Sequence, residues 1–291
     1  MFRLEELKSK AALLFLLMVF AVLSGCERNV ETAAASYPTN SDVPRCSPDS
    51  RMGRAGSING KSTEGGIKFN VRTPSNYDPT IAHPLLMVYA PAKANRKGTE
   101  RETGFTLEAT AAGLIVAYAD HPEFSPTTTM ELGSIPSLIA QKWCIDERRV
   151  FLTGHSDGGT AAMALAFMAG TKNIPAAIAP SAAGINHESL FDHRCPDPLP
   201  VMVMHSANDQ HFPHYGMESV AWWAECNGCK GPTTKKLENG CVAYSGCKNG
   251  VNTWYCEGSG AHAQWPKQNS SDIIKFFLSS ARKKNDRSIG F

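Results

Sequence analysis

A serine stands between two glycines in the run Gly154-His155-Ser156-Asp157-Gly158. Apolar residues 150–153 precede this run, and a stretch of small residues follows it. Because glycine permits a very tight strand-to-helix turn, the G-x-S-x-G spacing predicts that the Ser156 hydroxyl is exposed as a nucleophile. The same turn would aim the Asp157 N–H at an oxyanion formed beside the serine. The alternative is that small residues here only let a strand pack against a helix.

A nucleophilic serine needs a general base, and the base needs a carboxylate that fixes its tautomer. Asp209 follows the apolar run 201–205, which predicts a buried strand. Since functional groups collect at the carboxyl ends of parallel strands, we predict Asp209 to be the acid. Asp192 and Asp197 precede that strand and are expected at its other end. A turn-forming role for Asp209 is the alternative.

The predicted base is a histidine that follows the last strand. His262 comes after the run 251–255 and a glycine-rich loop. This placement gives the chain order serine, acid, histidine that such a turn requires. His211 and His214 are competitors, but each lies within five residues of Asp209. We expect them to line the pocket instead, and a surface position is the alternative for His262.

Short apolar runs alternate with helical patterns from residue 67 onward. This alternation predicts an α/β fold with a mainly parallel central sheet and helices on both faces. We predict one catalytic domain over residues 65–280, with a disulfide-stapled loop at 231–248, and a polar tail over 281–291. The predicted strands are 67–72, 85–90, 114–118, 150–153, 176–179, 201–205 and 251–255, and the helices are 102–112, 135–143, 159–169, 218–226 and 271–278.

The N-terminus has the pattern of an export signal. Basic residues precede an apolar run at 11–23, which is too short to span a bilayer. The next residues, Leu23-Ser24-Gly25-Cys26, resemble the bacterial lipobox, which predicts a signal peptide over 1–25, lipid on Cys26 and a flexible tether to residue 64. Glu27 then favours the outer membrane in a Gram-negative cell, with an extracellular protein otherwise. The alternative is an ordinary secretory signal with a chance cysteine.

Nine cysteines support export independently. Without Cys26 eight remain, an even number that predicts four disulfides in an oxidising compartment. Cys144 and Cys195 each lie six residues before a predicted strand; if those strands are neighbours, the two cysteines pair. The rival interpretation is a zinc site made by four cysteines: Cys226, Cys229, Cys241 and Cys247.

The charge balance limits the partners. A formal net charge of +2 and a pI near 8.0 give no field that would favour nucleic acid. The partners predicted are an ester substrate and a membrane bound through Cys26. The oligomeric state is left open. No metal and no organic cofactor are required by a serine, a histidine and an aspartate.

Four stretches carry a family resemblance: "CIDERRVFLTG", "GHSDGG", "HSANDQHFPHYG" and "GSGAHAQWP". They resemble the secreted polyhydroxybutyrate depolymerase and feruloyl/acetylxylan esterase group of α/β-hydrolases, over residues 65–278. The resemblance implies an α/β-hydrolase fold, with Ser156 as nucleophile, Asp209 as acid and His262 as base.

The chain departs from that group after the second core strand, where a histidine-glycine pair is usual. It has Tyr89-Ala90-Pro91-Ala92 instead. Proline has no N–H, so we expect the N–H groups of Ala92 and Asp157 to form the oxyanion hole. The histidine loop also departs from the family, which puts Trp265 in doubt as a pocket wall.

The residues and the resemblance together predict a serine carboxylic ester hydrolase that acts outside the cytoplasm. The substrate expected is a polyhydroxybutyrate-type polyester or a feruloyl or acetyl ester of a polysaccharide. The alternatives are a non-catalytic surface binding protein with this fold and, less favoured, an amidase or peptidase. The side chains expected to line the pocket are His155, Tyr89, Trp265, His211 and Phe212.

Overall fold

The computed structural model describes residues 30–36, 43–265 and 270–281. The predicted signal peptide, Cys26 and residues 282–291 of the predicted tail lie outside this part of the chain. The strands are β1 Ser57–Ser62, β2 Lys68–Arg72, β3 His83–Tyr89, β4 Ile115–Ala119, β5 Ile145–His155, β6 Ala177–Ser181, β7 Val201–Ser206, β8 Gly231–Pro232, β9 Val242–Ser245 and β10 Thr253–Gly258. The helices are α1 Arg96–Thr103, α2 Phe105–Ala111, α3 Pro126–Ala140, α4 Asp157–Phe167, α5 His187–Leu190, α6 Tyr215–Cys226 and α7 Ser270–Ala281, with a 3₁₀ turn at Lys248–Gly250.

The ten described strands form one sheet in the order β1-β2-β4-β3-β5-β6-β7-β10-β9-β8. Neighbouring strands from β4 to β10 are parallel, and the strands beyond them at both edges are antiparallel. The predicted fold class, a mainly parallel sheet with helices on both faces, is therefore confirmed.

Both faces of the central strands are buried, because helices cover each face. On β3, Leu85 and Met87 belong to one apolar cluster, while Leu86 and Val88 belong to the other. Residues of α3, α4 and α6 pack in the first cluster, and residues of α2 and α7 pack in the second. This explains why β3 has no polar and apolar alternation in its sequence.

The parallel register brings the carboxyl ends of four strands to one edge. His155, at the end of β5, lies opposite Ser181 of β6, and Ser181 lies opposite Met204 of β7. Ser206 of β7 lies opposite Gly258 of β10. The loops that leave β5, β7 and β10 therefore begin side by side.

Two of the predicted helices differ in extent from the observed ones. The predicted helix 102–112 is two helices, since Gly104 adopts φ 65° and ends α1 before α2 begins. The predicted helix 135–143 begins earlier, at Pro126, where Ser125 and Thr128 form a capping box.

The folded unit begins before residue 65, the predicted domain boundary. Strand β1 pairs with β2 in an antiparallel ladder. Upstream, Ala33 N–H donates to the Thr110 hydroxyl, and Ala35 N–H donates to the Asn76 side chain. Residues 31–36 and 43–64 thus contact the domain and are not a free tether. Within the described residues, no helix has the length and apolar character needed to cross a bilayer.

The structure has four disulfides among the described residues, as the cysteine count predicts. The predicted pair Cys144–Cys195 is wrong, because β6 lies between the strands that these two cysteines precede. Cys144 instead joins the N-terminal segment, and Cys195 joins the end of α6. The bonds are Cys46–Cys144, Cys195–Cys226, Cys229–Cys247 and Cys241–Cys256.

The same bonds overturn the zinc interpretation. Each of its four cysteines is bonded to another sulfur, so none offers a thiolate to a metal. Two of the bonds hold the loop 231–248, as expected: Cys229–Cys247 and Cys241–Cys256.

The disulfides close loops of different length, and we therefore expect their removal to lower the unfolding free energy by different amounts. Cys46 and Cys144 are 98 residues apart, whereas Cys229 and Cys247 are 18 apart. We expect the double variant Cys46→Ser/Cys144→Ser to lose about 4.5 kcal/mol of unfolding free energy, and Cys229→Ser/Cys247→Ser about 3 kcal/mol, since longer loops constrain the unfolded chain more. Guanidinium denaturation followed by circular dichroism measures both values. An equal or reversed order would contradict the expectation, and peptide mapping without reduction checks the pairing.

Candidate active site

Ser156 lies on a sharp turn between β5 and α4. Its backbone has φ 54° and ψ −120°, in a region that residues other than glycine rarely adopt. It is 9% exposed. The predicted strand-turn-helix around Ser156 is therefore present.

Two glycines make this turn possible by allowing backbones to touch. A Cβ built on Gly154 would lie 2.5 Å from the Gly158 carbonyl carbon, and one on Gly158 would lie 2.0 Å from the Tyr89 carbonyl oxygen. Such contacts are far inside van der Waals distance, so any side chain at either position would push β3, β5 and α4 apart. The glycines of the motif serve close backbone approach.

Ser156, His262 and Asp209 form a continuous chain of hydrogen bonds. The Ser156 Oγ lies 2.9 Å from His262 Nε2, and His262 Nδ1 lies 2.8 Å from Asp209 Oδ2. An ionised aspartate can only accept a hydrogen bond, so His262 Nδ1–H donates to it, and Nε2 is left to accept from the serine hydroxyl. The three residues predicted as nucleophile, base and acid are thus in mutual contact, and Asp192 and Asp197 precede β7, away from this edge.

Asp209 is held as a carboxylate by its hydrogen bonds. Burial raises the pKa of its side chain, but the bonds from His262 and from the backbone N–H groups of Phe212 and His211 outweigh that effect. Both N–H groups donate to Oδ1 at 2.9 Å. The pKa of Asp209 is therefore below its ordinary value.

His155, predicted to line the pocket, is buried and borders the small cavity beside His262. Its Nε2 lies 2.6 Å from the His262 carbonyl oxygen, and its Nδ1 lies 2.9 Å from the Ser181 hydroxyl. Burial is the main cause that lowers the pKa of His155 to about 4, so the ring is neutral at pH 7. A carbonyl only accepts, so Nε2–H donates to it, and the Ser181 hydroxyl donates to Nδ1. His155 therefore fixes the backbone that carries His262.

Tyr89 differs from its predicted place in the pocket. It is 1% exposed and packs with Leu85 and Met87 in the core. Its carbonyl oxygen, and not its ring, is what faces the turn at Gly158. Tyr89 therefore shapes the backbone of the site and offers no surface to a substrate.

The other predicted pocket residues surround His262. The ring centroids of His211 and Phe212 lie 4.8 and 5.0 Å from that of His262. Phe212 fits above Gly184, where a Cβ would lie 2.8 Å from its ring. Trp265 is half-buried, with its ring 6.0 Å from that of His155. His211 and Phe212 form an aromatic rim beside His262.

The predicted oxyanion donors are the backbone N–H groups of Asp157 and Ala92. Asp157 is the first residue of α4, and Ala92 lies in the exposed turn between Pro91 and Ala94. Among the described residues, neither N–H donates to a protein acceptor.

Two histidines near the site were missed by the sequence analysis as functional candidates. His205 Nε2 lies 2.9 Å from the Phe212 carbonyl oxygen and 3.5 Å from Asp209 Oδ2. His121 Nε2 lies 2.8 Å from Asp157 Oδ2. His205 is near the end of β7, and His121 is two residues past β4. The rule that identified Asp209, a polar residue at the carboxyl end of a parallel strand, also applies to them.

A cavity of about 50 Å³ lies behind the hydrogen-bonded chain, against His155, Ser181 and His205. A larger hollow of about 220 Å³ borders Pro200, Val251 and Asn252. These residues precede β7 and β10, so the larger hollow lies at the amino ends of the strands, far from the serine.

The buried His155 predicts a pH-dependent stability. Its folded pKa of about 4 lies below the ordinary 6.5, so its contribution is present above pH 6.5 and is lost as the pH falls toward 4. We expect the unfolding free energy of the wild type, relative to His155→Gln, to fall by about 3 kcal/mol between pH 7 and pH 4. Denaturant titrations of both proteins at a series of pH values measure the difference. A difference that is independent of pH would contradict the assignment of a buried neutral imidazole.

Known proteins share this fold and part of the sequence. The chain matches no protein-family model. It is 25% identical over 245 residues to a feruloyl esterase B of Piromyces equi; the match covers 72% of this chain and 45% of that protein, so the chain spans about half of the relative's length. An acetyl xylan esterase from Aspergillus awamori superposes with a TM-score of 0.57 at 14% identity, over 78% of this chain and 99% of that one. A hyperthermophilic esterase from the archaeon Pyrobaculum calidifontis gives 0.55 at 12% identity, over 81% and 85%. The chain thus has the α/β-hydrolase fold that the sequence predicts.

Proposed function

We propose that this chain is a serine carboxylic ester hydrolase that works through an acyl-enzyme. The observation that carries the proposal is the hydrogen-bonded chain from Ser156 through His262 to Asp209, starting from a strained turn. A serine, a base and an ionised acid in this order make a nucleophile for acyl transfer. The sequence similarity to a feruloyl esterase supports an ester as substrate.

The proposed reaction has two halves. The Ser156 oxygen attacks the ester carbonyl carbon while His262 Nε2 takes the hydroxyl proton, and Asp209 stabilises the resulting imidazolium. The carbonyl oxygen becomes an oxyanion, which the N–H groups of Asp157 and Ala92 bind. His262 then protonates the alcohol oxygen as the bond to carbon breaks. Water, deprotonated by His262, releases the acid from Ser156, and no metal or organic cofactor takes part.

The substrate class is a further part of the proposal. We favour a feruloyl or acetyl ester of a polysaccharide, with a polyhydroxybutyrate-type polyester or oligomer as second candidate. The aromatic rim of His211 and Phe212 beside His262 suits the flat face of an aromatic acyl group or a sugar ring. Similarity to a feruloyl esterase points the same way.

We propose an extracytoplasmic location. Four disulfides suit an oxidising compartment. We propose that an export signal over residues 1–25 is cleaved before Cys26, and that lipid on Cys26 anchors the protein to the membrane, the outer one in a Gram-negative cell.

A second candidate function is a surface binding protein that keeps this fold without catalysis. The observation that favours it is Pro91, which stands in the oxyanion loop and has no N–H to donate. Such a protein would bind a polysaccharide at the aromatic rim and turn over no ester.

Removing the nucleophile tests the catalytic proposal. We expect Ser156→Ala to lower kcat for a p-nitrophenyl ester by about 10⁶-fold, because the three residues act as one unit. A matched control is His193→Ala, an exposed histidine that packs against Phe167 at the far end of α4. The control should hydrolyse the ester like the wild type. Equal turnover by Ser156→Ala and wild type would reject the serine mechanism.

Product analysis tests the substrate class. We expect purified protein to release ferulate or acetate from feruloylated arabinoxylan or acetylated xylan faster than it releases hydroxybutyrate from short oligomers. Phe212→Ala should raise KM for the aromatic ester about tenfold, since an apolar ring contact of this kind contributes a binding energy of that order. Chromatography of the released acids gives both results. Release of hydroxybutyrate alone would reject the polysaccharide assignment.

A further inference from the structure

A second histidine–aspartate pair flanks the nucleophile. His121 Nε2 lies 2.8 Å from Asp157 Oδ2, and the side chains are 18% and 29% exposed. Asp157 directly follows Ser156, while His121 belongs to the loop after β4. Since β4 lies on one side of β5 and β7 on the other, Ser156 stands between this pair and the pair of His262 and Asp209.

Asp120, which precedes His121 in the chain, is already paired with Arg96. Asp120 accepts from the Arg96 backbone N–H and guanidinium, each at 2.7 Å. His121 is therefore available to Asp157. The Phe124 ring stands edge-on to the imidazole at 5.8 Å and limits its movement.

The Asp157 carboxylate can interfere with binding of an oxyanion at this position. A negative charge in the first turn suits the α4 dipole, but it lies on the same residue as the N–H proposed to bind the oxyanion. An unanchored carboxylate can accept the N–H of its own residue, and its charge opposes a second negative charge beside it. A side chain that donates to the carboxylate holds it away from that N–H and from the oxyanion.

We propose that His121 is a positioning residue for ester hydrolysis: it anchors the Asp157 carboxylate and so leaves the Asp157 N–H to the oxyanion. The inference rests on the proposed function. A purely structural role is disfavoured, because a partly exposed contact between two polar side chains contributes little to stability.

The test is a set of four variants assayed on p-nitrophenyl acetate: His121→Ala, His121→Gln, Asp157→Asn and the double variant His121→Ala/Asp157→Asn. We expect His121→Ala to lower kcat about tenfold and to leave KM within about twofold, because only the transition state is affected. His121→Gln should retain most of the rate, since its amide N–H can reach Asp157 Oδ2. The double variant should be at least about threefold faster than His121→Ala, because an asparagine carries no charge to anchor.

His193→Ala is the matched control, and thermal unfolding of every variant checks the fold. A rise in KM with unchanged kcat in His121→Ala would overturn the inference, because it would place His121 on the substrate. A double variant as slow as His121→Ala would overturn the carboxylate account. If His121→Ala does not fold, His121→Gln compared with wild type decides, since a positioning role requires kcat to be retained. If the wild type does not hydrolyse the ester, the proposed function and this inference are both rejected. If His121→Ala hydrolyses it at the wild-type rate, only this inference is rejected.

Discussion

The site depends on a backbone contact that only glycine permits. Gly158 packs so closely on the Tyr89 carbonyl that a Cβ would lie 2.0 Å from its oxygen. This contact lets α4 start directly at the end of β5, with Ser156 on the strained residue between them. The strain is maintained because the buried sheet on both sides leaves the turn no room to relax.

The base reaches this turn from a different strand, and a buried network holds it there. His155 lies next to the nucleophile, but its Nε2–H donates to the His262 carbonyl oxygen. The Ser181 hydroxyl of β6 donates to His155 Nδ1 and orients the ring. Two N–H groups after β7 keep Asp209 ionised at the other end. Four adjacent parallel strands, β5, β6, β7 and β10, thus fix the geometry of these residues, in agreement with the position of ligand sites in such sheets.

The sequence predicted those features that follow from strand order alone. Asp209 and His262 could be identified because each follows a strand whose carboxyl end meets the serine edge. Tyr89 was assigned to the pocket wrongly, because proximity along the chain does not say whether a side chain faces solvent or core. His155 borders the small cavity behind the triad, but hydrogen bonds occupy both of its ring nitrogens. The Cys144–Cys195 pairing failed because the sequence does not reveal that β6 lies between their strands.

The central claim is that Ser156 is a nucleophile activated by His262 and Asp209. Mass spectrometry of the folded protein after exposure to a fluorophosphonate tests it most directly, since this probe phosphonylates activated serines. The account predicts a single adduct on Ser156, formed far more slowly in His262→Ala. No adduct on Ser156, or one that forms at the same rate in His262→Ala, would contradict the claim.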